Sequence, residues 1–326
     1  MSLRRRLLNL LADGHYHSGE ALGAALGVSR MAVWKQVRAL REHGLPLEVV
    51  RGKGYRLPDS FELLDAGAIQ TGLSPATRAW MARIDTFLEI DSTSTWLRQQ
   101  ALDGAPSGSV CLAEMQHGGR GRRNRSWVSP FAANLYLSLL WRSDAGAAGL
   151  GGLSLVIGVA LLRSLRAFGI DAAGLKWPND VLVDGAKLAG ILIDVAGESS
   201  GPCSVIIGVG MNVSMPDAAA AAIDQPWTDL SRLTGRQRFP RNRLAASVLD
   251  CSFSALREFE QSGLESFLDE WRQHDLIDGR EVSLQLPNER VRGRACGVDS
   301  AGALLLETAG GHRRFASGEV SLRVAT

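Results

Sequence analysis

An eight-residue run from Gly118 to Arg125, with three glycines and four arginines, is the feature that most constrains the fold. So many charges and flexible positions exclude a core helix or a buried strand. Glycine lets a backbone approach a ligand closely, and the arginine guanidinium is a planar fork of donors that fits carboxylate or phosphate. The run therefore predicts a mobile loop that closes over an anion. From this segment alone, a solvated surface loop or a nucleic-acid patch remains possible.

Charge is distributed unevenly along the 326 residues. Residues 1–58 contain ten Lys and Arg against four Asp and Glu, a net charge of +6. The whole chain carries +2, so the remainder carries −4. A basic head on an acidic body is typical of a protein in which one module contacts a polyanion.

Cysteine usage and hydropathy indicate a reduced, cytoplasmic protein. The four cysteines are widely spaced and form no CxxC pair, so neither a zinc site nor a disulfide framework is predicted. The N-terminus lacks the apolar core of a signal peptide. The longest apolar run, Leu150 to Leu162, is too short to span a bilayer.

The basic head is predicted to be a winged helix-turn-helix. Leucines between Leu3 and Leu11 form one helix face, Ser18 can cap a second helix, and Ser29 can cap a third that runs to His43–Gly44. Two short strands around the turn 51–54 would form the wing. The alternative is a helical protein-interaction module with a charged face.

In a winged helix the third helix enters the major groove and the wing meets phosphates. Trp34 is also suited to packing, and we expect it to pack against the protein rather than against a base. The candidate DNA-binding residues are Ser29, Arg30, Trp34, Lys35, Arg38, Arg51 and Lys53.

The acidic body begins with a short helical connector from Pro58 to about Arg83 that includes 61–64 and 66–69. A strand is expected over 86–90, and it ends in a polar cluster, 91–95, that caps the helix 96–102. Further strands are expected over 110–114 and, with alternating burial, over 134–141. A buried helix is expected over 153–168.

The segment 175–194 combines an Asp–Gly hairpin turn with two lysines, Lys176 and Lys187. A half-buried ammonium needs an anionic partner, which could be phosphate or a salt bridge with Asp180 or Asp194. The strand 205–213 contains Gly208 and Gly210, which indicate a bulge or the close approach of a ligand. Helices follow over 244–260 and 263–274.

From Gly279 onward, short alternating strands with turns, one of them at 287–288, predict a small β-barrel. The fold class is therefore α+β. The expected domains are a winged helix-turn-helix at 1–63, a catalytic domain at 64–274 and a small barrel at 275–326.

The order of the motifs resembles the bifunctional biotin–protein ligases that also repress biotin synthesis, and the resemblance covers essentially the whole chain. The motifs are IDST, QHGGRGRRNRSW, KWPND, KLAGILID and GVGMN, followed by the small terminal barrel. The resemblance implies a mixed central sheet like that of class II synthetases and biotin ligases, with an SH3-like C-terminal barrel. Ser94 and Asn124 depart from the family pattern, which commonly has Asn and Gly at these positions.

The family chemistry implies ATP, Mg²⁺ and biotin as cofactors and substrates. Biotin's carboxylate attacks the α-phosphate of ATP, and a carrier lysine then attacks the resulting adenylate. By resemblance, biotin would be bound by Ser92, Thr93, Ser94, Gln116, Gly119, Arg120, Arg122, Arg123 and Lys187. ATP or the adenylate would be bound by Arg122, Lys176, Asn179, Asn212 and Trp227. The catalytic residues would be Arg122, Lys187, Asp180 and Lys176, with Asp180 also a magnesium ligand.

The implied partners are the biotin carboxyl carrier domain of acetyl-CoA carboxylase and operator DNA, with ligand promoting a homodimer and no membrane involved. Two alternatives stay open: a ligand-sensing repressor that has lost turnover, and a lipoate or octanoate ligase of related fold.

Overall fold

A computed structural model describes residues 2–42, 44–45, 47–57, 62–197, 201–236, 239–286, 289–316 and 321–324. The expected helix end at 43, the start of the connector at 58–61 and the turn at 287–288 lie outside the described residues. No helix in the described part of the chain is long and apolar enough to cross a membrane.

The N-terminal head has three helices and a two-stranded wing: α1 Leu3–Leu11, α2 Gly19–Leu26, α3 Arg30–Glu42, β1 Glu48–Val50 and β2 Gly54–Arg56. Ser18 Oγ accepts from Ala21 N at 3.0 Å and caps α2, while Ser29 Oγ accepts from Ala32 N at 3.2 Å and caps α3. The leucines of α1 pack with Val33, Val37 and Leu40 of α3 in one apolar cluster. The predicted winged helix-turn-helix is confirmed.

The body consists of a mixed seven-stranded sheet and the helices around it. Its elements are α4 Ala66–Gly72, α5 Pro75–Trp80, β3 Arg83–Phe87, α6 Thr93–Leu102, β4 Ser109–Ala113, β5 Leu135–Ser143, α7 Leu153–Arg166, β6 Gly174–Lys176, β7 Asp180–Val183, β8 Ala186–Gly197, β9 Cys203–Met211, α8 Asp217–Ala220, α9 Leu230–Thr234, α10 Arg241–Ser262 and α11 Glu265–Gln273. The strand order is β3-β4-β5-β9-β8-β7-β6, with β3 and β4 parallel and the other pairs antiparallel.

Three local expectations about the body were wrong. Residues 62–65 are not helical, and the first strand runs over Arg83–Phe87 instead of 86–90. Strand β5 is buried at every position except Arg142 instead of alternating. The reason is that α6 packs on one face of the sheet while α7 and α10 pack on the other, so neither face of this central strand meets water.

The C-terminal part is a five-stranded antiparallel sheet of β10 Glu281–Gln285, β11 Arg290–Val298, β12 Leu304–Thr308, β13 Gly311–Phe315 and β14 Ser321–Val324. Its order is β13-β12-β11-β10-β14, and among the described residues the two end strands do not pair to close a barrel. The predicted small C-terminal β domain is thus confirmed, but in the described residues it is an open antiparallel sheet and not the expected closed barrel.

Apolar clusters connect these parts. The head's cluster includes Leu63, whereas Leu64 belongs to the body's cluster, which also contains Val282, Leu284 and other residues of the C-terminal sheet. Trp177, only 1% exposed, donates from Nε1 to Gly302 O at 3.1 Å. The tryptophan of the KWPND motif therefore anchors the C-terminal sheet to the body. The exact domain bounds stay a prediction.

Candidate active site

A cavity of about 400 Å³ opens over strands β8 and β9. Its floor depends on glycines: a Cβ at Gly210 would lie 2.5 Å from the Trp127 ring, and one at Gly208 would lie 2.8 Å from Ser94 Oγ. The close approach predicted for these glycines is therefore made by the protein's own Trp127 and Ser94. The indole of Trp127 lies against Gly210 and Gly190, which carry no side chain, and it forms a wall of the cavity.

Polar groups cluster at one end of the cavity. Ser92 caps α6, and Thr93 donates from its backbone N to Gln116 Oε1 at 2.9 Å. Ser138 Oγ lies 2.7 Å from Thr93 Oγ1 and 2.9 Å from Ser94 Oγ. These buried hydroxyl and amide groups can both donate and accept, so the end suits a small ligand head group with N–H and C=O edges.

The arginine–glycine run folds into a tight hairpin beside this end. Trp127 N donates to Gly119 O at 2.9 Å, and Gly121 N donates to Arg125 O at 2.7 Å. Arg123 sits at the tip with a φ of 57°, in the left-handed region. The hairpin thus has a defined shape in this structure, and its predicted mobility stays a prediction.

The arginines of the hairpin point in different directions. Arg122 Nη1 donates to Asn179 Oδ1 at 3.5 Å and faces the cavity. Arg120 Nη2 donates to Thr95 Oγ1 at 3.1 Å, at the rim. Arg123 is exposed and donates to the backbone O of Gln285 at 3.4 Å, which joins the hairpin to the C-terminal sheet. Arg122 is the arginine best placed to meet an anion.

A cationic cluster also lines the cavity. Lys187 Nζ lies 2.6 Å from Asp180 Oδ1 and 5.4 Å from the centre of the Trp127 ring. Burial lowers the pKa of the Arg122 guanidinium, Asp180 partly offsets this, and Arg123 and Arg125 add to it. Arginine remains charged at neutral pH even so. A desolvated guanidinium beside an ammonium is a strong site for carboxylate or phosphate.

Another part of the cavity lining is a loop held against β8. Asn212 Nδ2 donates to Thr228 O at 3.1 Å and to Lys187 O at 3.3 Å. Lys187 N donates to Pro226 O at 2.9 Å. Trp227 lines the cavity, half-buried, with the Arg232 guanidinium 4.0 Å from its ring centre. The Asn212 amide therefore positions this loop, and Trp227 is a cavity wall instead of a core residue.

Almost every site residue expected from the sequence lines this one cavity. They are Ser92, Thr93, Ser94, Gln116, Arg120, Arg122, Arg123, Lys176, Asn179, Asp180, Lys187, Asn212 and Trp227. Gly119 lies just outside the lining, where a Cβ would meet Ser129 Oγ and Trp127 O at 2.7 Å. Sequence reasoning missed Trp127, Arg125 and Ser138 as lining residues. Arg125 is the last residue of the arginine–glycine run and Trp127 follows it closely, and that position was their one visible signal.

The candidate DNA-binding residues lie together on the head. Ser29 begins α3, and Arg30, Lys35, Arg51 and Lys53 are exposed. Arg38 is also exposed but pairs with Glu42, with 2.9 Å between Nε and Oε1. The cations of α3 and of the wing are thus available to phosphates.

Trp34 is 44% exposed, so the packing expected for it is not burial in the core. The Arg38 guanidinium lies 5.7 Å from its ring centre, a cation–π distance. The indole thus stays on the solvent side of α3, where it is available to a ligand of the head.

Sequence comparisons match family models along most of the chain. Residues 87–212 match the biotin/lipoate A/B protein ligase family, residues 279–323 match the biotin protein ligase C-terminal domain, and residues 3–56 match an HTH domain.

Full-length relatives and solved structures agree. The bifunctional ligase/repressor BirA of Salmonella typhimurium is 41% identical over 98% of this chain and 97% of its own length. BirA of Bacillus subtilis is 32% identical over 98% and 99%. The structure of biotin protein ligase from Aquifex aeolicus in complex with biotin and ATP matches with a TM-score of 0.64 and 28% identity, over 75% of this chain and 100% of that one. The chain therefore belongs to the BirA family of bifunctional ligase/repressors.

Proposed function

We propose that this chain joins biotin and ATP to form biotinyl-5′-adenylate and transfers the biotinyl group to a lysine of a carrier protein. One observation supports this most strongly: a polar end at Thr93 and Gln116 lies in the same cavity as the cations Arg122 and Lys187. The polar end suits the ureido ring of biotin, and the cations suit its carboxylate and the phosphates of ATP.

In the first step a carboxylate oxygen of biotin attacks the α-phosphorus of ATP. The bond from that phosphorus to the bridging oxygen breaks, and diphosphate leaves. Two anions must meet for this to happen, so Arg122 and Lys187 lower the barrier by neutralising them. Asp180 holds the Lys187 ammonium in place.

In the second step a neutral lysine amine of the carrier attacks the acyl carbon of the adenylate. The acyl–oxygen bond breaks, AMP leaves, and the amine loses a proton to solvent. The mixed anhydride must be protected from water until then. The hairpin 118–127 and the half-buried Trp227 lie where they can cover it.

Magnesium fits this cavity as a companion of ATP. Asp180 is a carboxylate in the lining, but it already pairs with Lys187. Among the described residues, no group of three or more His, Cys, Asp or Glu side chains could hold a metal. Mg²⁺ commonly keeps several waters and binds one or two carboxylates plus substrate phosphates. Asp180 is the residue that would contact it, and the ion would supply charge neutralisation at the phosphates.

We also propose that the head binds operator DNA in response to biotin, that the carrier is the biotin carboxyl carrier domain of acetyl-CoA carboxylase, and that ligand promotes a homodimer in the cytoplasm. A dimer would place two copies of α3 on successive major grooves of an inverted repeat. The exposed cations of α3 and the wing support the DNA contact.

The test is carrier biotinylation by the full chain with biotin and ATP, beside calorimetry with biotin and with lipoate. Biotin transfer together with binding of biotin but not lipoate supports the proposal. Biotin binding without any transfer would leave a ligand-sensing repressor instead. Lipoate binding and transfer would assign the chain to lipoate ligation.

A further inference from the structure

One wall of the cavity is also the surface on which the DNA-binding head rests. The segments 88–91 and 115–118 run side by side and form this shared wall. Ile90 N donates to Met115 O at 3.2 Å, His117 N donates to Ile90 O at 3.0 Å, and Gly118 N donates to Asp91 O at 2.8 Å. These backbone hydrogen bonds make the two segments one unit, so a displacement of either segment moves both.

Side chains of residues 115–117 alternate between the cavity and the head. Gln116 faces the cavity, where its Oε1 accepts from Thr93 N at 2.9 Å. Its neighbour Met115 packs against the apolar cluster of the head, as does Leu88 on the other segment. Alternation is the expected geometry of an extended segment such as 115–117. On the other segment Leu88 and Glu89 lie at a bend, and both contact the head. The wall is therefore two-sided, with the proposed biotin site on one side and the head on the other.

Charged groups on the head side of the shared wall connect it to helix α1. Glu89 forms an ion pair with Arg4 of α1, and the His117 Nε2 atom lies 3.4 Å from Glu89 Oε2. The Glu89 side chain is only 18% exposed, so solvent screens these contacts less than it screens surface pairs.

Arg4 extends the connection to the helix that carries the candidate DNA contacts. Its Nε donates to Gln36 Oε1 of α3 at 3.4 Å. A continuous set of contacts thus runs from Gln116 through His117, Glu89 and Arg4 to α3.

Arg5 provides a second attachment of α1 to the body. Its Nη1 donates to Thr86 Oγ1 at 3.1 Å, and its Nη2 donates to Leu64 O. Arg4 and Arg5 were both counted in the basic head, yet they bind the body and not a polyanion. Helix α1 is therefore held directly on the strand that precedes the shared wall.

We propose that the Glu89–Arg4 contact is a coupling device that carries the occupancy of the cavity to the DNA-binding head. Ligand at Gln116 repositions the shared wall, and the wall changes how firmly Glu89 holds α1 and α3. This inference rests on the proposed function of the cavity, because it names the regulation of that same site. Coupling between two sites is reciprocal, so the attachment of the head also sets the affinity for the ligand.

Hydrogen–deuterium exchange in the full chain tests the proposal without any operator DNA. Biotin plus ATP should slow the amide exchange of α1, Leu3–Leu11, in the unaltered protein. In Glu89→Gln and in Arg4→Met, the same ligands should change α1 exchange by less than about a third as much, since the ion pair is gone. Glu289→Gln is the matched control, because Glu289 pairs with Arg313 at 2.8 Å on the C-terminal sheet.

Calorimetry on the same proteins tests the reverse effect, which is the influence of the head contact on the affinity for biotin. Glu89→Gln and Arg4→Met should each shift the biotin Kd by about fivefold, the lower end of ordinary allosteric coupling, and the double variant should shift it no further. Glu289→Gln should leave the Kd unchanged.

The outcomes separate this inference from the proposed function. If the unaltered chain binds no biotin, the proposed function fails and the inference fails with it. If it binds biotin but α1 exchange responds equally in the unaltered chain and both variants, with equal Kd, the inference alone is overturned.

Discussion

Lys187 Nζ lies 2.6 Å from Asp180 Oδ1, and each side chain is less than a fifth exposed. The pair joins the start of the KLAGILID strand to the end of the KWPND motif, directly beside Trp127. It explains why both motifs are needed for one cavity: the cation comes from one and its orienting carboxylate from the other. The salt bridge that the sequence left open as an alternative to phosphate is present, and it holds the ammonium where a phosphate would bind.

Lys187→Met should greatly lower the rate of the first chemical step, the formation of the adenylate. One preorganised cation facing developing charge is worth about 100- to 1,000-fold in rate, so we expect a loss of that size in adenylate formation. Single-turnover release of diphosphate measures it.

The control for that variant is Lys187→Met combined with Asp180→Asn. The single change leaves a half-buried carboxylate without its cation, so the double variant should be more stable than the single one by about 1–3 kcal/mol, while staying inactive. Recovered activity in the double variant would show that Lys187 acts only through the fold.

Gly210→Ala should weaken ligand binding by displacing Trp127, because its Cβ would lie 2.5 Å from the indole. We expect the biotin Kd to rise by at least about tenfold, since a wall of the cavity moves. Gly310→Ala is the matched control: its Cβ would meet only Thr308 Oγ1, at 3.9 Å. Equal biotin affinity in both variants, measured by calorimetry, would argue against the role of Trp127 as a wall.

Glu114 and Arg241 form a buried pair at 2.7 Å, with the side chains 1% and 4% exposed. Glu114 Oε1 also accepts from Leu64 N at 2.5 Å, so the pair fixes the point where head and body join. Glu114→Ala leaves the guanidinium buried without its anion and should cost about 3–5 kcal/mol of unfolding free energy. Urea unfolding measures it, with Glu114→Met plus Arg241→Met expected to be less destabilised. A cost below about 1 kcal/mol for the single change would contradict this account.

Asp275 predicts a pH dependence of stability. Burial raises its pKa to about 6, the nearby Asp278 adds to this, and a hydrogen bond from Ile277 N partly offsets it. The folded state therefore holds the proton more tightly than the unfolded state, and this residue's contribution to stability falls as pH rises from about 4 to 6. Asp275→Asn keeps the acceptor for Ile277 N but carries no charge.

We expect Asp275→Asn to raise the unfolding free energy by about 1–3 kcal/mol at pH 7 and to have little effect near pH 4. Urea unfolding at the two pH values measures the difference. A gain that is equal at both would show that the carboxylate charge is not the cause.

Much of the candidate site could be predicted from the sequence because its residue types indicate their ligands wherever they lie in the fold. A cluster of arginines and glycines, two lysines in a hairpin and a polar strand end each predict anion or ligand contacts locally. The same holds for the head, where Ser18 and Ser29 cap helices as expected.

What the sequence could not predict depends on packing between distant segments. The burial of β5 on both faces follows from helices that lie far away in the chain. The use of Arg4 at the base of the head depends on how the head meets the body. The glycines of β9 correctly predicted that another group lies close to the strand. That group, Trp127, comes from a loop about 80 residues earlier.

The most direct test of the central claim is mass spectrometry of a reaction that contains the full chain, biotin and MgATP but no carrier. The account predicts biotinyl-5′-adenylate, retained on the protein in amounts comparable to the protein itself, together with diphosphate. The absence of the adenylate under conditions where calorimetry shows biotin bound would contradict it.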